Sequence, residues 1–196
     1  GAIDRLGLTG SIGMGKTTTA RFFSDHGCEV WDADAAVHRL YAPDGLAVPI
    51  FREKFPDVIE NDQVARHKLR ALVQTDATIL PQIEVIIHPL VKQDRVVFCE
   101  KASAAIVVFD IPLLFETEAN KEMDAVACVF IDKETQCHRV LDRNEMTKKQ
   151  FEYILQKQMP NNEKCALSDY QIETDTLLHT QEQVEIIVLD IRSRCA

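Results

Sequence analysis

The sequence lacks several features, and each absence excludes a class of protein. Its longest apolar runs, such as 104–109 and 125–131, reach only about a third of the length that a membrane-spanning helix requires. Because no signal-peptide pattern opens the chain either, we expect a cytoplasmic protein without a membrane partner. Gly1 and Ala2 are typical of a residual tag. Low-complexity tracts and internal repeats are absent too, which excludes disordered and solenoid architectures.

Neither the cysteines nor the basic residues are arranged for a metal site or for nucleic acid. The six cysteines never form a C-x-x-C pair, and because several lie in apolar segments we expect them to be structural. A formal net charge of -9 predicts that the protein does not bind nucleic acid, which requires a basic surface. A polyanionic ligand would have to be held by a local group of cations.

Short apolar segments alternate with amphipathic ones along the 196 residues. This alternation predicts five strands, at 3–8, 28–31, 104–109, 125–131 and 169–172. Helices are predicted at 16–26, 33–41, 133–144, 147–158 and 181–194, and strand signals are absent from 43–101, where 64–73 and 77–87 show helical spacing. Strands that alternate with helices favour a single α/β domain with a parallel sheet, whose ligands bind beyond the carboxyl ends of the strands.

A phosphate-binding loop follows the first predicted strand. Residues 10–17 match G-x-x-x-x-G-K-S/T and lie between a buried strand and a helix, where this motif functions. Its glycines allow backbone amides to surround phosphate oxygens, Lys16 adds charge at the β- and γ-phosphates, and the Thr17 hydroxyl is a predicted Mg²⁺ ligand. The predicted ATP-binding residues here are Gly10, Ser11, Ile12, Gly13, Met14, Gly15, Lys16, Thr17 and Thr18.

Carboxylates follow two other predicted strands. Asp34, in the triplet 32–34, could accept the proton of an attacking hydroxyl or orient water around Mg²⁺, although the triplet could equally cap the next helix. Asp110 closes an apolar strand and is a predicted metal residue. The segment 111–116 then offers apolar side chains, which could grip an organic acceptor or could pack against the insertion.

Basic side chains are concentrated in one later stretch of this acidic chain. A mobile lid over a triphosphate requires such a concentration of positive charge. For Lys148 and Lys149 the alternative is that they only form the solvated face of a helix. The residues are Arg139, Arg143, Lys148, Lys149, Lys157 and Lys164. Separately, His88 precedes Pro89 at a predicted helix junction, where a histidine could bind substrate or serve only as a capping or core residue.

Taken together, these motifs resemble the dephospho-coenzyme A kinase family, a family of P-loop kinases, from residue 6 to about residue 172. The matching segments are Gly7-Leu8-Thr9-Gly10, the phosphate loop, Asp32-Ala33-Asp34, His88-Pro89-Leu90, Asp110-Ile111-Pro112-Leu113-Leu114-Phe115-Glu116, and Gln136-x-x-Arg139 with Arg143. The chain departs from the family pattern at Ile154, where some members have arginine, and at 174–176, where asparagine and glycine are frequent.

The resemblance implies a P-loop kinase fold in which 3–42 and 103–196 form the nucleotide-binding core around a five-stranded parallel sheet. The segment 43–102 would be a helical acceptor-binding insertion, and about 144–160 a small helical lid. It implies an enzyme that uses ATP and Mg²⁺ to phosphorylate the ribose 3′-hydroxyl of dephospho-CoA, the last step of coenzyme A synthesis, as a monomer or small homo-oligomer.

The resemblance also implies roles for individual residues. Asp34 would be the general base and Lys16 the phosphate-binding lysine, with Arg139 as a further catalytic residue. The acceptor would contact Asp34, His88, Pro89, Leu113, Leu114 and Glu116. Arg139 and Arg143 would bind ATP with the lid, and Thr17 and Asp110 would hold the metal.

Two other functions remain compatible with the sequence at this point. A nucleoside monophosphate kinase would need arginines for an acceptor phosphate, and the insertion offers Arg52, Arg66, Arg70 and Arg95. A nucleotide-dependent switch would predict a guanine-recognition motif such as N-K-x-D, which the sequence lacks.

Overall fold

The computed structural model describes residues 4–142 and 146–195, with the side chain of Cys195 excepted. Its elements in chain order are β1 (Asp4–Thr9), α1 (Lys16–Asp25), β2 (Glu29–Asp32), α2 (Ala33–Tyr41), α3 (Ala47–Lys54), β3 (Ile59–Glu60), β4 (Gln63–Val64), α4 (Arg66–Thr75), α5 (Ile79–Lys101), β5 (Ile106–Asp110), β6 (Ala125–Phe130), α6 (Lys133–Asp142), α7 (Lys148–Lys157), α8 (Asn161–Ala166), β7 (Tyr170–Glu173) and α9 (Leu177–Cys195). Within the described ranges, no helix combines the length and the apolar composition that a membrane crossing requires.

The described residues divide into two compact units, one from 1–31 with 102–196 and the other from 32–101. In the first, five strands form a sheet in the order β2-β5-β1-β6-β7, which confirms the predicted five-stranded parallel sheet. The central strand β1 runs parallel to β5 on one side and to β6 on the other. The chain that leaves β1 is thus flanked by the carboxyl ends of two neighbouring strands, the position where ligands bind in such sheets.

The core of the first unit explains why its strands are continuous apolar runs. All five residues of β5 are buried, as are the first five of β6, because helices cover both faces of a parallel sheet. One side of α9 completes this core with four side chains, Val184, Ile187, Val188 and Ile191. The predicted closing helix is confirmed, although it begins at Leu177, four residues before the predicted start.

The second unit is mainly helical, but the expectation that it contains no strand is wrong. β3 and β4 form a two-stranded antiparallel hairpin in which Ile59 pairs with Val64. The two residues between them, Asn61 and Asp62, have φ angles of 54° and 61°. An Asn-Asp pair with both φ angles positive is typical of a two-residue hairpin turn. The sequence did not reveal the hairpin because strands of two residues each are too short to show an alternating pattern.

Helix α5 also differs from the prediction, because it continues through Pro89 to Lys101 and has no junction at His88. Its apolar face packs on both sides of the proline, with Ile83 and Ile87 before it and Val91 after it in one cluster. This packing outweighs the loss of one backbone hydrogen bond at the proline. Helices α3 and α8 were not predicted; α8 has only six residues, too few for a clear period.

A buried ion pair joins α8 to the segment that follows β5. The Lys164 side chain is fully buried, and its Nζ lies 3.0 Å from Glu116 Oε2 and donates a hydrogen bond of 2.9 Å to the Pro112 carbonyl. Glu116 Oε2 also accepts a hydrogen bond from the Met159 amide at 3.0 Å. The pair therefore fixes the loop after β5 against the chain that enters α8.

Replacing Lys164 with methionine should destabilise the protein by roughly 3–5 kcal/mol, because the mostly buried Glu116 carboxylate would lose its partner. Lys121→Met is the matched control: Lys121 pairs with Glu118 at 2.9 Å, but both side chains are about 70% exposed, and such pairs contribute less than about 1 kcal/mol. Urea denaturation of both variants measures the difference, and equal free energies of unfolding would contradict the importance of the Lys164 pair.

Candidate active site

The phosphate loop, residues 10–15, leaves the carboxyl end of β1 and enters α1. Gly13 and Gly15 have φ angles of 77° and 87°, in the left-handed region that favours glycine. A Cβ on Gly13 would lie 2.6 Å from Val140 Cγ2, and one on Gly15 would lie 3.0 Å from Thr174 Oγ1. The loop thus requires glycine both for its backbone angles and for its close approach to neighbouring segments.

Among the described residues, four side chains distant in sequence bind the backbone of this loop, and the longest of these hydrogen bonds, 3.5 Å, runs from the Ile12 amide to Gln158 Oε1. Gln136 Nε2 donates to the Ile12 carbonyl at 2.8 Å, and the Ser11 amide donates to Asn161 Oδ1 at 2.8 Å. Thr174 Oγ1 donates to the Met14 carbonyl at 2.6 Å. Each of these hydrogen bonds spans more than a hundred residues of sequence, so tertiary structure, not only the local sequence, sets the loop conformation.

The predicted phosphate lysine and the predicted metal carboxylate lie together. Lys16 Nζ forms an ion pair with Asp110 Oδ1 at the end of β5, and both side chains are mostly buried, with 15% and 4% exposed. Thr17, the first residue after Lys16, is exposed at the start of α1. The structure therefore brings the cation and the carboxylate to one edge of the sheet, directly beside the loop.

Arg139 lies on α6 and binds the segment after β7. Its guanidinium donates to Thr174 Oγ1 at 3.0 Å and to the Thr174 carbonyl.

α6 begins after Asp132, whose carboxylate accepts hydrogen bonds from the amide and hydroxyl of Thr135 at 2.8 and 2.9 Å. The Thr135 amide hydrogen bond in particular lowers the pKa of Asp132, which keeps a negative charge at the positive end of the helix dipole.

An open pocket of about 200 Å³ lies next to the loop in the first unit. Its walls include Gly15 and Thr18 from the start of α1, Arg139 from α6, and Thr176 and Thr180 from the region where α9 begins. The pocket therefore adjoins the phosphate loop and one of the two predicted ATP arginines.

A charged pair lies at the edge of this pocket. His179 Nδ1 is 2.6 Å from Asp175 Oδ1, an interaction that lowers the pKa of the carboxyl group and raises that of the imidazole. Both side chains are about 42–43% exposed. Asp175 lines the pocket along with Thr174, at the positions where the sequence departs from the family pattern.

The segment after β5 supplies a mixture of buried and exposed groups. The expectation of exposed apolar side chains is met by Leu113, which is 40% exposed, but it is wrong for Ile111 and Leu114, which are buried. Leu114 packs over Gly7 of β1, where an added Cβ would lie 2.9 Å from Leu114 Cδ2. Leu114 therefore belongs to the core, because the missing side chain of Gly7 leaves room for it.

Glu116 is held by Lys164 and Met159 through one carboxylate oxygen only. Its other oxygen, Oε1, is buried and has no hydrogen-bond partner among the described residues. A buried carboxylate oxygen without a partner carries a desolvation cost, and a polar group of a ligand could satisfy it. Lys164, predicted to be one of the cations of the lid, is instead the buried partner of the Glu116 carboxylate.

Three predicted site residues belong to the second unit, namely Asp34, His88 and Pro89, and all three are exposed. Asp34 is the second residue of α2, and it is Asp32 that caps this helix, since Asp32 Oδ1 accepts from the amides of Asp34 and Ala35 at 2.8 and 3.2 Å. Asp32 thus performs the capping that the triplet was expected to offer, and the Asp34 side chain is exposed, so that its role as a base stays a prediction. His88 is exposed inside α5, so the alternative that it is a core residue is wrong.

The predicted lid corresponds to α7, which has a capping box between Thr147 and Gln150. Phe151 is buried on one side of this helix, whereas Lys148, Lys149 and Lys157 are exposed. Arg143, the second predicted ATP arginine, lies outside the described residues.

Sequence reasoning missed the side chains that hold the phosphate loop. Asn161 both accepts from the Ser11 amide and donates to the Val129 carbonyl at 3.1 Å, yet in the sequence it is one of two asparagines in a polar stretch. Gln136 was noticed only as part of a motif, and Thr174 only as a departure from one. What the three residues share is a polar side chain that is buried or half-buried, and burial cannot be read from the sequence.

The chain is similar to known proteins over most of its length. The family model for dephospho-CoA kinase matches residues 5–180. The dephospho-CoA kinase of Ruegeria pomeroyi is 57% identical over 189 residues, which cover 96% of each chain. A crystal structure of a Thermus thermophilus protein, 26% identical, superposes with a TM-score of 0.86 over 97% of this chain and 98% of that one.

The dephospho-CoA kinase of Campylobacter jejuni, 16% identical, gives a TM-score of 0.66 over 96% and 97% of the two chains and so shares the fold. The predicted α/β P-loop kinase fold is confirmed. With its phosphate loop, its Lys16–Asp110 pair and a family match over most of its length, the chain belongs to the dephospho-CoA kinase family, enzymes that take a nucleotide and a small-molecule substrate.

Proposed function

We propose that this enzyme transfers the γ-phosphoryl group of ATP to the ribose 3′-hydroxyl of dephospho-CoA and so produces coenzyme A. The observation that carries the proposal is the phosphate loop held beside the Lys16–Asp110 pair, in a chain of this family. Phosphoryl transfer needs positioned charge more than covalent catalysis, and this arrangement provides it.

The loop binds the ATP phosphates through the start of α1 and through backbone amides other than those of Ser11, Ile12 and Met14, which already have acceptors within the protein. Lys16 exchanges the Asp110 carboxylate for the oxygens of the β- and γ-phosphates, where its charge opposes the charge of the transferring group. The mostly buried position of Lys16 strengthens this interaction, because little water screens it.

The pocket beside Gly15 and Arg139 accommodates the rest of the nucleotide. It adjoins the loop, its volume is about 200 Å³, and the Arg139 guanidinium offers both charge and a flat face for stacking on a base. The bonds from Arg139 to Thr174 fix that guanidinium in the pocket wall. Arg139 therefore contributes to nucleotide binding, and Arg143 is proposed to act with it.

The residues present fit a magnesium ion. Mg²⁺ takes oxygen ligands and keeps several waters, and the exposed Thr17 hydroxyl and the Asp110 carboxylate are two oxygen donors next to the phosphate loop. Thr17 would bind the ion directly and Asp110 through water. When bound, Mg²⁺ neutralises charge on the β- and γ-phosphates.

Asp34 is the proposed general base. Its carboxylate is exposed and free of the capping role that Asp32 performs, so it can accept the 3′-hydroxyl proton as that oxygen attacks phosphorus. In the acceptor loop, Leu113 offers exposed apolar surface and Glu116 Oε1 a buried acceptor for a donor group of the substrate. His88 and Pro89, with Leu114 as support from the core, complete the proposed acceptor set.

α7 is proposed to act as the lid that excludes water during transfer, with its exposed lysines facing the polyphosphate. The cytoplasmic location, the absence of a nucleic-acid partner and the monomeric or small oligomeric state stay predictions of the sequence.

The direct test measures ADP release with ATP and a panel of acceptors. We expect ADP formation that depends on dephospho-CoA and a product heavier by one phosphoryl group. Nucleoside monophosphates should give no release above background. Release with a monophosphate but not with dephospho-CoA would instead favour the nucleoside monophosphate kinase alternative, and acceptor-independent hydrolysis of GTP would favour a switch.

Asp34→Asn should lower turnover by at least about a hundredfold while the KM for ATP stays near normal, because the variant loses the base but not the nucleotide site. Asp32→Asn is the matched control, since asparagine caps a helix as well as aspartate and turnover should be largely retained. Steady-state kinetics of both variants decide the role, and a normal turnover of Asp34→Asn would exclude it as the base.

Gly13→Ala should raise the KM for ATP at least about tenfold, equivalent to ~1.4 kcal/mol, because the new Cβ would clash with Val140 and force the loop to move. Gly27→Ala controls for backbone strain: Gly27 also has a φ of 88°, but its Cβ would meet only the tip of the flexible Arg192 side chain, at 3.0 Å. A KM that changes equally in both variants would show that strain, not loop displacement, is responsible.

A further inference from the structure

Two cysteines meet beneath the phosphate loop. Cys128 lies in β6 and is fully buried, and Cys165 lies in α8 and is half-buried. Their sulfur atoms are 3.1 Å apart. A disulfide has a sulfur–sulfur distance of about 2.05 Å, so bond formation requires an approach of only about 1 Å.

The same place holds the side chain that anchors the loop. Asn161 lies one turn before Cys165 in α8, with its Nδ2 atom 3.9 Å from Cys165 Sγ and its Oδ1 atom 4.0 Å from Cys128 Sγ. Through these same two atoms it binds the Val129 carbonyl and the Ser11 amide. A movement of α8 relative to β6 would therefore change the hydrogen bond that holds the phosphate loop.

We propose that Cys128 and Cys165 are an oxidation-sensitive thiol pair, and that their disulfide shifts α8 and weakens ATP binding through Asn161. β6 is paired on both sides, with Thr9 of β1 and Gln171 of β7 opposite Cys128, so the strand cannot move easily. The short helix α8 makes the approach instead. The disulfide rests on geometry alone, whereas its effect on ATP rests on the proposed function.

Cys165 is the sulfur that reacts first with an oxidant such as hydrogen peroxide. It is the more accessible of the two, and the hydrogen bond between the two thiols lowers its pKa, whereas the pKa of Cys128 is raised by that hydrogen bond and by burial. By contrast, burial raises the pKa of the Cys28 thiol to about 11, which leaves it almost entirely protonated.

The reaction balances in two steps. The Cys165 thiolate attacks one peroxide oxygen, the O–O bond breaks, and hydroxide leaves and is protonated to water, which gives a sulfenic acid. The Cys128 sulfur then attacks Cys165 Sγ, the S–O bond breaks, and the departing hydroxide takes the thiol proton. Two thiols and one peroxide become one disulfide and two waters, with each sulfur losing one electron.

The test treats the wild-type enzyme with hydrogen peroxide, alkylates the remaining thiols and maps the peptides by mass spectrometry under non-reducing conditions. We expect a peptide pair linked through Cys128 and Cys165, lighter by two hydrogens and separated by dithiothreitol. If treatment with hydrogen peroxide leaves both residues to be alkylated, or links other cysteines instead, the proposed thiol pair is overturned.

Kinetics test the connection to the loop separately. The oxidised enzyme should show a KM for ATP raised at least about threefold and restored by dithiothreitol, and Cys165→Ser and Cys128→Ala should show no such change after peroxide. Cys99→Ser, which replaces a half-buried cysteine of α5, should respond like the wild type. A complete disulfide with an unchanged KM would overturn the effect on ATP binding and leave the proposed kinase activity unaffected.

Discussion

The phosphate loop of this enzyme depends on hydrogen bonds from side chains that are distant in sequence. Its glycines permit the conformation, but Gln136, Asn161 and Thr174 hold it through the Ile12 carbonyl, the Ser11 amide and the Met14 carbonyl. All three side chains lie in the part of the chain that follows β6. The loop geometry is therefore a consequence of the sheet order, with β6 and β7 on one side of β1.

The charges at this site follow from the same arrangement. β1 and β5 are neighbours in the sheet, so the lysine that follows the first and the carboxylate that ends the second meet as an ion pair that is mostly out of water. In an acidic chain with a net charge of -9, a polyphosphate would need such a local cation, and Lys16 is the one proposed for this role. Lys164 differs, because its burial against Glu116 makes it a support for the segment that follows β5.

The differences between prediction and structure have particular physical causes. The sequence predicted β5 and β6 because they are continuous apolar runs, and it missed the hairpin at 59–64 because two-residue strands have no period. The sequence predicts exposed apolar side chains after β5, but Leu114 lies in the core, because Gly7 has no side chain and leaves room for it. Lys164 was grouped with lid cations, since sequence shows charge and not burial.

The sequence by itself determined the phosphate loop, its Lys16 and Thr17, the carboxylate that ends β5, the parallel sheet and the family. These features depend on local motifs and on apolar periodicity, which neighbouring residues specify directly. Only the tertiary structure decided that Asn161, Gln136 and Thr174 hold the loop and that Cys128 meets Cys165. Those outcomes depend on which segments lie side by side in the folded sheet, and hydrogen-bond partners more than a hundred residues apart leave no pattern in a single sequence.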